Sequence, residues 1–555
     1  MRAAEYLNVK LKEAVEKLGF AWPQKVLTEQ PKERKFGDLA CNAAMLLAKE
    51  ARRAPRDIAA QLAASIQNDR MISAVEVAGA GFINVRFAPE FWHCVVLEVL
   101  GRNLDFGSIP VIEGSKKIQI EFVSANPTGP LHIGHGRGAA VGDSLARLLR
   151  FTGHKVECEY YINDAGRQMA TLGNSVWVRA LELAGRETEI PEDFYKGDYI
   201  IGIAREMLER RPDLLELSPE EGRKICFEYA HKLILEWIRE DLEEFRVKFD
   251  VWTSERAILQ SGAVDGVLKR FEKDGLLFEE DGALWFRSSR FGDDKDRVLR
   301  KSNDDLTYVT TDIAYHEQKY ERGFDLLVDV LGADHHGYIP RMKAALQALG
   351  HDSSAFEAII IQLVNWLKAG EQVAMSTRAG QFETLIDVLD EVGVDAARFM
   401  FLSRKGDSPL DFDLELVKSK SMDNPVYYVQ YAHARICNLF FKAGEKGLFS
   451  GDYREIRITP DELAFLSSED DLQLVRLLDA FPAMLAESAA MLAPHHISFY
   501  LMDLAAGLHS YYAAVPILAG DSMELAKARL AMLAAVGHVL KTGLNLLGVS
   551  APEKM

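Results

Sequence analysis

Cysteine is scarce in this sequence, and long uncharged hydrophobic runs are missing. The five cysteines are scattered over 555 residues without a Cys-x-x-Cys pair, which argues against a disulfide framework and against a cysteine-based zinc site. The first ten residues lack the apolar core of a secretory signal, and no uncharged segment is long enough to cross a bilayer. We therefore expect a cytoplasmic protein without structural zinc and without a membrane partner.

Basic charge is also in short supply. The 65 lysines and arginines are outnumbered by 83 aspartates and glutamates, which gives a net charge of −18. A chain of this charge could bind RNA only through faces on which basic residues cluster. Candidate clusters lie at residues 32–35, 287–301 and 341–343. Each of them is explained equally well as ordinary solvated surface charge.

The chain has ample length and apolar content for several domains. Its 555 residues, 48% of them hydrophobic, predict about three to five domains. Strands alternate with helices from residue 113 to about 415, which predicts a parallel sheet with insertions. The remainder, from about 420 to 555, is almost wholly helical. The predicted organisation is an α+β domain (1–88), a linker helix (89–112), an α/β domain (113–415) with a helical insertion at about 174–245, and an all-α domain (420–555).

Within the first domain the pattern is mixed. Helical spacing occurs at residues 40–50 and 57–66, and residues 75–87 have the composition of a strand.

The most informative segment is residues 121–136, which read Glu-Phe-Val-Ser-Ala-Asn-Pro-Thr-Gly-Pro-Leu-His-Ile-Gly-His-Gly. Polar and apolar residues alternate at 117–123 and predict a strand, proline and glycine then break it, and helical spacing follows. A strand, a tight loop and a helix N-terminus form an anion site, because unpaired N–H groups and the helix dipole face one point. His132 and His135 can therefore address one phosphate, and Gly134 leaves room for a flat base.

This arrangement resembles the His-Ile-Gly-His signature of class I aminoacyl-tRNA synthetases, whose Rossmann-like domain uses the histidines at the α-phosphate of ATP. The short pattern also occurs in other nucleotidylyl transferases, and alone it could be two solvated histidines in a loop. The preceding strand and the Asn-Pro-Thr-Gly-Pro-Leu loop supply the context that the motif requires. The resemblance implies that His132, Gly134 and His135 bind ATP, accompanied by Mg²⁺.

A second group of residues suits a planar cation. Tyr308 and Asp312 are four residues apart and share one face of a predicted helix. A carboxylate can accept two parallel hydrogen bonds from a guanidinium. Glu255 adds another acid after the aromatic segment 249–252. Taken alone, Asp312 is explained more simply as a helix cap.

With these segments the resemblance narrows to arginyl-tRNA synthetases and covers essentially the whole chain. It implies that one end of a pocket holds the backbone of arginine and the other end its guanidinium. Two acids around a guanidinium would reject lysine, which cannot fill a bidentate fork, and citrulline, which leaves the acids unpaired. Where the family often has glutamine, this chain has a histidine at position 336. The implied arginine-binding residues are Ser124, Asn126, His135, Glu255, Tyr308, Asp312 and His336.

Residues 373–380 resemble the family's second catalytic loop, whose general form is Lys-Met-Ser-Lys-Ser. Ala374 and Thr377 stand where lysines are usual. Some members compensate with a lysine just before the histidine motif, a place that Gly129 occupies here. The resemblance implies that an arginine and backbone amides, helped by Lys368, neutralise the phosphates; the alternative is a plain surface turn. The implied residues are Met375 and Ser376 for ATP binding and Ser376 and Arg378 for catalysis.

The start of the C-terminal domain presents tyrosines and an arginine at helical spacing. Such a face suits unstacked RNA bases, although a tyrosine stripe is also typical of a helix core. Residues 424–435 resemble the start of the family's helical anticodon-binding domain, residues 551–555 resemble its end, and the N-terminal block resembles the domain that contacts the tRNA elbow. The implied tRNA-binding residues are Phe82, Asn84, Tyr428, Tyr431, Arg435 and Met555.

The resemblance as a whole implies arginine–tRNA ligase activity. The carboxylate of L-arginine would attack the α-phosphate of ATP, and the arginyl group would pass to the 3′ end of tRNA(Arg). Positioning and charge stabilisation would supply the rate, since no side chain acts as a nucleophile. The family further implies that activation needs bound tRNA, and we expect a monomer. The alternatives are a different class I synthetase, such as the cysteine enzyme, a free-standing nucleotidylyl transferase, and a non-catalytic tRNA- or arginine-binding relative.

Overall fold

The computed structural model describes residues 1–335, 337–368, 371–372, 384–518 and 522–555, with the side chains of residues 368, 371 and 372 excepted. The N-terminal region is a four-stranded antiparallel sheet packed against three helices. In spatial order the strands are Thr28–Glu29, Leu39–Cys41, Phe82–Phe87 and Ile72–Ala78. The helices are Ala3–Lys17, Ala43–Ala51 and Pro55–Ile66.

The strand expected at 75–87 is in fact two strands joined by a turn. Gly79 and Gly81 have φ angles of +52° and +128°, a region that other residues rarely adopt. A Cβ at Gly81 would lie 2.8 Å from the Cβ of Pro55. The close approach of the helix Pro55–Ile66 therefore requires glycine at this turn.

The helix expected at 40–50 begins later than the pattern predicts. It starts at Ala43, because residues 39–41 pair with strands on both sides. The segment expected to be a linker contains the helix Pro89–Arg102, whose Phe91 and Trp92 are buried.

A five-stranded parallel sheet organises the central region. In spatial order its strands are Phe356–Ile361, Leu326–Gly332, Lys117–Glu121, Lys155–Ile162 and Val251–Ser254. The middle strand is buried over residues 118–121, as expected for a parallel sheet covered on both faces. The helix Ile133–Phe151, called the histidine helix below, follows this strand and leads to the next one.

Two insertions interrupt the parallel sheet. The helices Arg167–Leu183, Asp198–Arg210 and Pro219–Glu244 occupy most of the segment expected to be inserted. The second insertion was not predicted from the sequence, and it follows the strand that ends at Ser254. Its elements are the helices Glu255–Gln260 and Ala263–Lys273 and an antiparallel sheet of Leu277–Glu280, Ala283–Phe286 and Arg297–Arg300.

The helix Tyr308–Glu321, called the pocket helix below, leads the chain back into the parallel sheet. After the helix Tyr338–Ala348 and the edge strand, a small sheet forms in which Val364–Lys368 pairs with Leu410–Asp413 and with Glu371–Gln372. The helices of this part are Leu385–Val392, Val394–Phe401 and Leu414–Lys418.

The C-terminal region is helical. Its helices are Pro425–Glu445, Pro460–Leu463, Glu469–Ala490, His495–Ala514 and Met523–Leu546. The last of these is buried along most of its length and forms the centre of the bundle. An α+β region, a parallel-sheet region and a helical region thus follow one another, which confirms the predicted fold class. A helix of the length and apolarity needed to span a membrane does not occur among the described residues.

Candidate active site

A cavity of about 1050 Å³ opens beside the carboxyl ends of two adjacent central strands. Ligands of parallel α/β sheets bind at this edge, since the loops there are free of the strands' own hydrogen bonding. One wall is the segment after the strand Lys117–Glu121 together with the first turn of the histidine helix, and the other is the loop after Leu326–Gly332. Its polar lining residues are Ser124, Asn126, His132, His135, Asp334, His335 and Gln362.

The two histidines stack on each other at the start of the histidine helix. Their ring centroids are 3.7 Å apart and the ring planes are inclined by 23°. His132 is the N-cap residue, and its Nδ1 accepts a hydrogen bond of 3.1 Å from the amide of Gly134. The Nδ1 of His135 accepts one of 3.2 Å from the amide of His132. A neutral imidazole that accepts at Nδ1 carries its proton on Nε2, so each ring has a donor on the side away from the helix backbone.

Both rings are neutral at physiological pH. Burial lowers the pKa of His132, and burial followed by the neighbouring imidazole lowers the pKa of His135 to about 3. The pair therefore presents hydrogen-bond donors rather than positive charges. The positive end of the helix dipole adds to their attraction for an anion.

Glycine is required between the two histidines. A Cβ at Gly134 would lie 2.9 Å from Cε1 and 3.0 Å from Nδ1 of the His132 ring. No side chain fits there unless the ring moves, because contacts this short are nearly absent from real structures. The stacked arrangement thus follows from the sequence His-Ile-Gly-His at a helix N-terminus.

The loop that leaves the central strand is strained and tightly held. Val123 and Ser124 have φ angles of +66° and +39°, and for a β-branched valine such an angle costs on the order of 1–3 kcal/mol. The Ser124 hydroxyl donates to Glu121 Oε1 at 3.0 Å and accepts from the amide of Tyr161 at 3.1 Å. These two bonds fix the direction in which the serine faces the cavity.

A cluster of acids lies behind this loop. Asp312 sits in the second turn of the pocket helix, whose N-cap is Thr307, so the simpler interpretation of Asp312 as a cap is wrong. Burial, and then the charges of Glu121 and Glu255, raise the pKa of Asp312 well above its ordinary value. Burial and the nearby Asp164 raise the pKa of Glu255. A bound cation would relieve this repulsion, which makes the cluster a candidate site for a cationic group.

Tyr308 lies one turn before Asp312 on the pocket helix and is 65% exposed. Its hydroxyl accepts a hydrogen bond of 2.8 Å from Nη1 of Arg341. The phenol thus shares a helix face with Asp312, one turn nearer the N-terminus, and is bonded to the helix Tyr338–Ala348.

Two residues that the sequence interpretation missed belong to this neighbourhood. Burial, and then the charges of Asp312 and Glu255, raise the pKa of Tyr161, so this phenol belongs to the surroundings of both acids. Arg137 is fully buried one turn into the histidine helix, and it donates at 2.9 Å to the carbonyls of Gln362 and Lys405. Tyr161 lies next to the end of the strand Lys155–Ile162, a position near the sheet edge that could have marked it; nothing local marks the partners of Arg137.

Several predicted residues lie outside the described residues, namely His336, Met375, Ser376 and Arg378. The backbone of Lys368 ends a strand, and its side chain is also outside the described part. Gly129, which stands where some relatives carry a compensating lysine, faces the insertion. The Tyr199 hydroxyl donates at 2.8 Å to the carbonyl of Thr128 and would lie 3.0 Å from a Cβ at Gly129.

The predicted tRNA-binding residues are spread over both terminal regions. Arg435 lies between the rings of Tyr431 and Tyr512, with its guanidinium carbon 4.7 Å and 4.6 Å from their centroids. It also donates at 3.0 Å to Nδ1 of His509, whose ring packs edge-on against Tyr428. The aromatic partners from the helix His495–Ala514 were not predicted.

The remaining three candidates differ in exposure. Phe82 is 37% exposed and Met555 is 50% exposed, whereas Asn84 is only 5% exposed. Asn84 lies between two strands of the N-terminal sheet, opposite Ala40 and Glu76. Strand alternation puts Asn84 on the same face of the sheet as Phe82, but little of its surface is accessible.

Comparison with known proteins identifies the family of each region. Three family models match: the arginyl tRNA synthetase N terminal domain at residues 5–87, the catalytic domain of tRNA synthetases class I (R) at 105–442, and the DALR anticodon binding domain at 429–555. The arginine–tRNA ligase of Nitratidesulfovibrio vulgaris is 57% identical over 556 residues, and that of Oleidesulfovibrio alaskensis is 56% identical, each alignment covering 100% of both chains. The solved structure of the Thermus thermophilus arginyl-tRNA synthetase shares the fold, with a TM-score of 0.75 at 24% identity over 100% of both chains.

Proposed function

Since the chain belongs to the arginine–tRNA ligase family, we propose that the stacked histidines and the acid cluster bind the two halves of one arginyl-adenylate. In this family arginine is joined to tRNA(Arg) with ATP, and that is the activity of this chain. The observation that carries the assignment of residues is the position of both clusters at one edge of the parallel sheet. Ser124 lines the cavity of the histidines and is bonded to Glu121, whose charge raises the pKa of Asp312.

The histidines serve the first step. The arginine carboxylate attacks the α-phosphorus of ATP, an oxygen–phosphorus bond forms, and the bond to pyrophosphate breaks. Negative charge on the non-bridging oxygens of the α-phosphate is then stabilised by Nε2–H of His132 and His135 and by the first amides of the histidine helix. Because these donors are already oriented, they need no reorganisation during the reaction.

The cavity also suits the metal ion that accompanies ATP. Asp334 and Asn126 line it, and oxygen atoms of this kind together with substrate phosphates are what Mg²⁺ takes as ligands. When bound, Mg²⁺ would neutralise phosphate charge. From the sequence match we assign Met375, Ser376 and Arg378 to the same phosphates.

The acid cluster selects the amino acid. A guanidinium next to Asp312 and Glu255 satisfies two carboxyl groups whose pKa values are raised in its absence. We propose that Tyr308 closes the outer end of this pocket, that His336 lines it, and that Ser124, Asn126 and His135 face the backbone of arginine. Lysine would leave one acid without a partner, which is the basis of discrimination.

For tRNA, we propose that the Arg435 guanidinium and its flanking tyrosines receive bases of the anticodon loop, with Tyr428 and Met555 at the same end of the bundle. The stacked arrangement supports this, since aromatic and guanidinium planes bind unstacked bases. Phe82 is assigned to the tRNA elbow because its ring is accessible. We further propose that the chain acts as a cytoplasmic monomer.

One assay tests the function and its dependence on tRNA. The purified protein should attach labelled arginine, but not lysine or citrulline, to total tRNA. Arginine-dependent exchange between ATP and pyrophosphate should appear only when tRNA is added. Periodate-oxidised tRNA is the matched control, because it can bind but cannot be charged.

The outcomes separate the alternatives. Strong exchange without tRNA would contradict the proposed tRNA dependence and leave the ligase activity intact. Binding of tRNA and arginine without any charging would point instead to the non-catalytic relative.

A further inference from the structure

A buried lysine lies beneath the acid cluster. Lys319 is on the inner face of the pocket helix and has no solvent exposure. Its Nζ donates to Glu121 Oε2 at 2.6 Å and to Asp329 Oδ1 at 3.1 Å. Glu121 and Asp329 are paired residues at the same level of two adjacent parallel strands. The lysine thus spans the floor of the sheet edge at which the cavity opens.

Hydrogen bonds extend from Lys319 to both ends of the proposed arginine pocket. On one side, Glu121 accepts from the Ser124 hydroxyl at 3.0 Å. On the other side, Asp329 Oδ2 bonds to Nε2 of His316 at 2.9 Å, and Nδ1 of the same ring bonds to the carbonyl of Asp312 at 2.8 Å. Five consecutive contacts therefore connect Ser124 with the backbone of Asp312.

Lys319 also acts through its charge. Burial alone would lower its pKa, but Asp329, Glu121 and Glu159 reverse that effect and raise it, so the ammonium group stays protonated. Among the charges around Asp312, that of Lys319 lowers its pKa whereas Glu121, Glu255 and Asp329 raise it. The titratable groups around Asp312 and Lys319 from the packed elements are Glu121, Glu159, Tyr161, Glu255, Tyr315, His316, Asp329 and Tyr338.

We propose that Lys319 is a positioning residue for arginine recognition: it fixes the spacing between Ser124 and Asp312 and supplies the buried positive charge that keeps the acids ready for a guanidinium. In this proposal, Lys319 itself contacts neither arginine nor ATP. The inference rests on the proposed function for the assignment of Ser124 and Asp312 to the two ends of arginine. It explains why a lysine is kept where burying an ammonium group is costly.

The test is the variant Lys319→Met, which keeps the length of the side chain and removes its charge. In tRNA charging, the KM for arginine is expected to rise about tenfold or more, because a rise of one unit in the pKa of Asp312 corresponds to a tenfold change in an equilibrium constant. The KM for ATP should stay within about twofold of the wild-type value. Lys418→Met is the matched control, because Lys418 forms an exposed ion pair with Glu391 at 2.9 Å. It should leave both values unchanged.

The pH dependence distinguishes positioning from general structural support. Guanidinium binding needs the deprotonated Asp312, and loss of Lys319 raises the pKa of Asp312 further. Arginine affinity in Lys319→Met should therefore be weakest at low pH and should level off at a higher pH than in the wild type. A variant that is merely less stable would lose arginine and ATP affinity together at every pH.

The double variant Lys319→Met/Asp329→Asn guards against a failure to fold, because it removes one of the carboxylates left without a partner. Because Asp329 and Lys319 shift the pKa of Asp312 in opposite directions, the pH profile of the double variant should return toward that of the wild type. The bond to Glu121 is still absent, so the raised KM for arginine should persist at high pH, where Asp312 is deprotonated. A wild-type KM for arginine at high pH in the folded double variant would overturn the inference. If the wild type itself does not charge tRNA with arginine, the proposed function fails instead, and the two failures are thereby told apart.

Discussion

Replacement of His135 by alanine is expected to reduce the rate of arginyl-adenylate formation about 100- to 1000-fold, the usual effect of removing one oriented donor from a developing oxyanion. The Nε2–H of this ring is aligned by the bond between its Nδ1 and the amide of His132, and alanine has no donor. The measurement is single-turnover formation of arginyl-adenylate with tRNA present. The rate constant should fall, and the dissociation constant for tRNA should not change.

Two controls test whether the effect of His135→Ala is specific to its hydrogen-bond donor. His496→Ala removes an imidazole from the helix His495–Ala514 of the C-terminal bundle and should have no effect. Because burial lowers the pKa of His135 to about 3, its donor role does not titrate at neutral pH, and the defect of His135→Ala should be the same at about pH 6.5 and about pH 8.5. A loss smaller than about threefold would mean that this ring does not act at the phosphate.

Substitution of Asp312 by asparagine is expected to lower kcat/KM for arginine about 30- to 5000-fold, since removing one partner of a buried charge pair costs about 2–5 kcal/mol. Asparagine keeps the shape of the side chain but cannot accept two charged hydrogen bonds from a guanidinium. The loss should appear chiefly in the KM for arginine, measured by tRNA charging, with the KM for ATP nearly unchanged.

The matched control for Asp312→Asn lies on the same helix. Glu321→Gln makes the equivalent change at the exposed end of the pocket helix and should leave kcat/KM intact. Equal losses for arginine and ATP in Asp312→Asn would indicate a disturbed fold rather than a missing guanidinium partner. An unchanged KM for arginine would remove Asp312 from the pocket.

The local part of the site was predictable from the sequence because the interacting residues are only a few positions apart in the chain. The strand, the loop and the histidine helix follow one another within residues 117–151, and the capping bonds of His132 and His135 join residues two and three apart. The same holds for Tyr308 and Asp312 on one helix. Periodicity and capping rules operate over these distances.

The rest of the site depends on contacts between distant segments, to which those rules do not apply. The acid cluster needs the pairing of Glu121 with Asp329, and Lys319 joins strands that are more than 200 residues apart in the chain. The second insertion was missed although its strands pair locally, because strands of four residues give too little alternation to be recognised. The low exposure of Asn84 also depends on the neighbouring strands, which the composition of its own strand does not specify.

The central claim is that the histidine pair and the acid cluster bind one molecule, and its most direct test is a crystal structure with a non-hydrolysable sulfamoyl analogue of arginyl-adenylate. We expect the sulfamoyl oxygens about 3 Å from Nε2 of His132 and His135, a normal hydrogen-bond distance. We expect the guanidinium to contact the carboxyl groups of Asp312 and Glu255. An analogue bound with its guanidinium away from both acids, or with its sulfamoyl group out of reach of both imidazoles, would contradict the account.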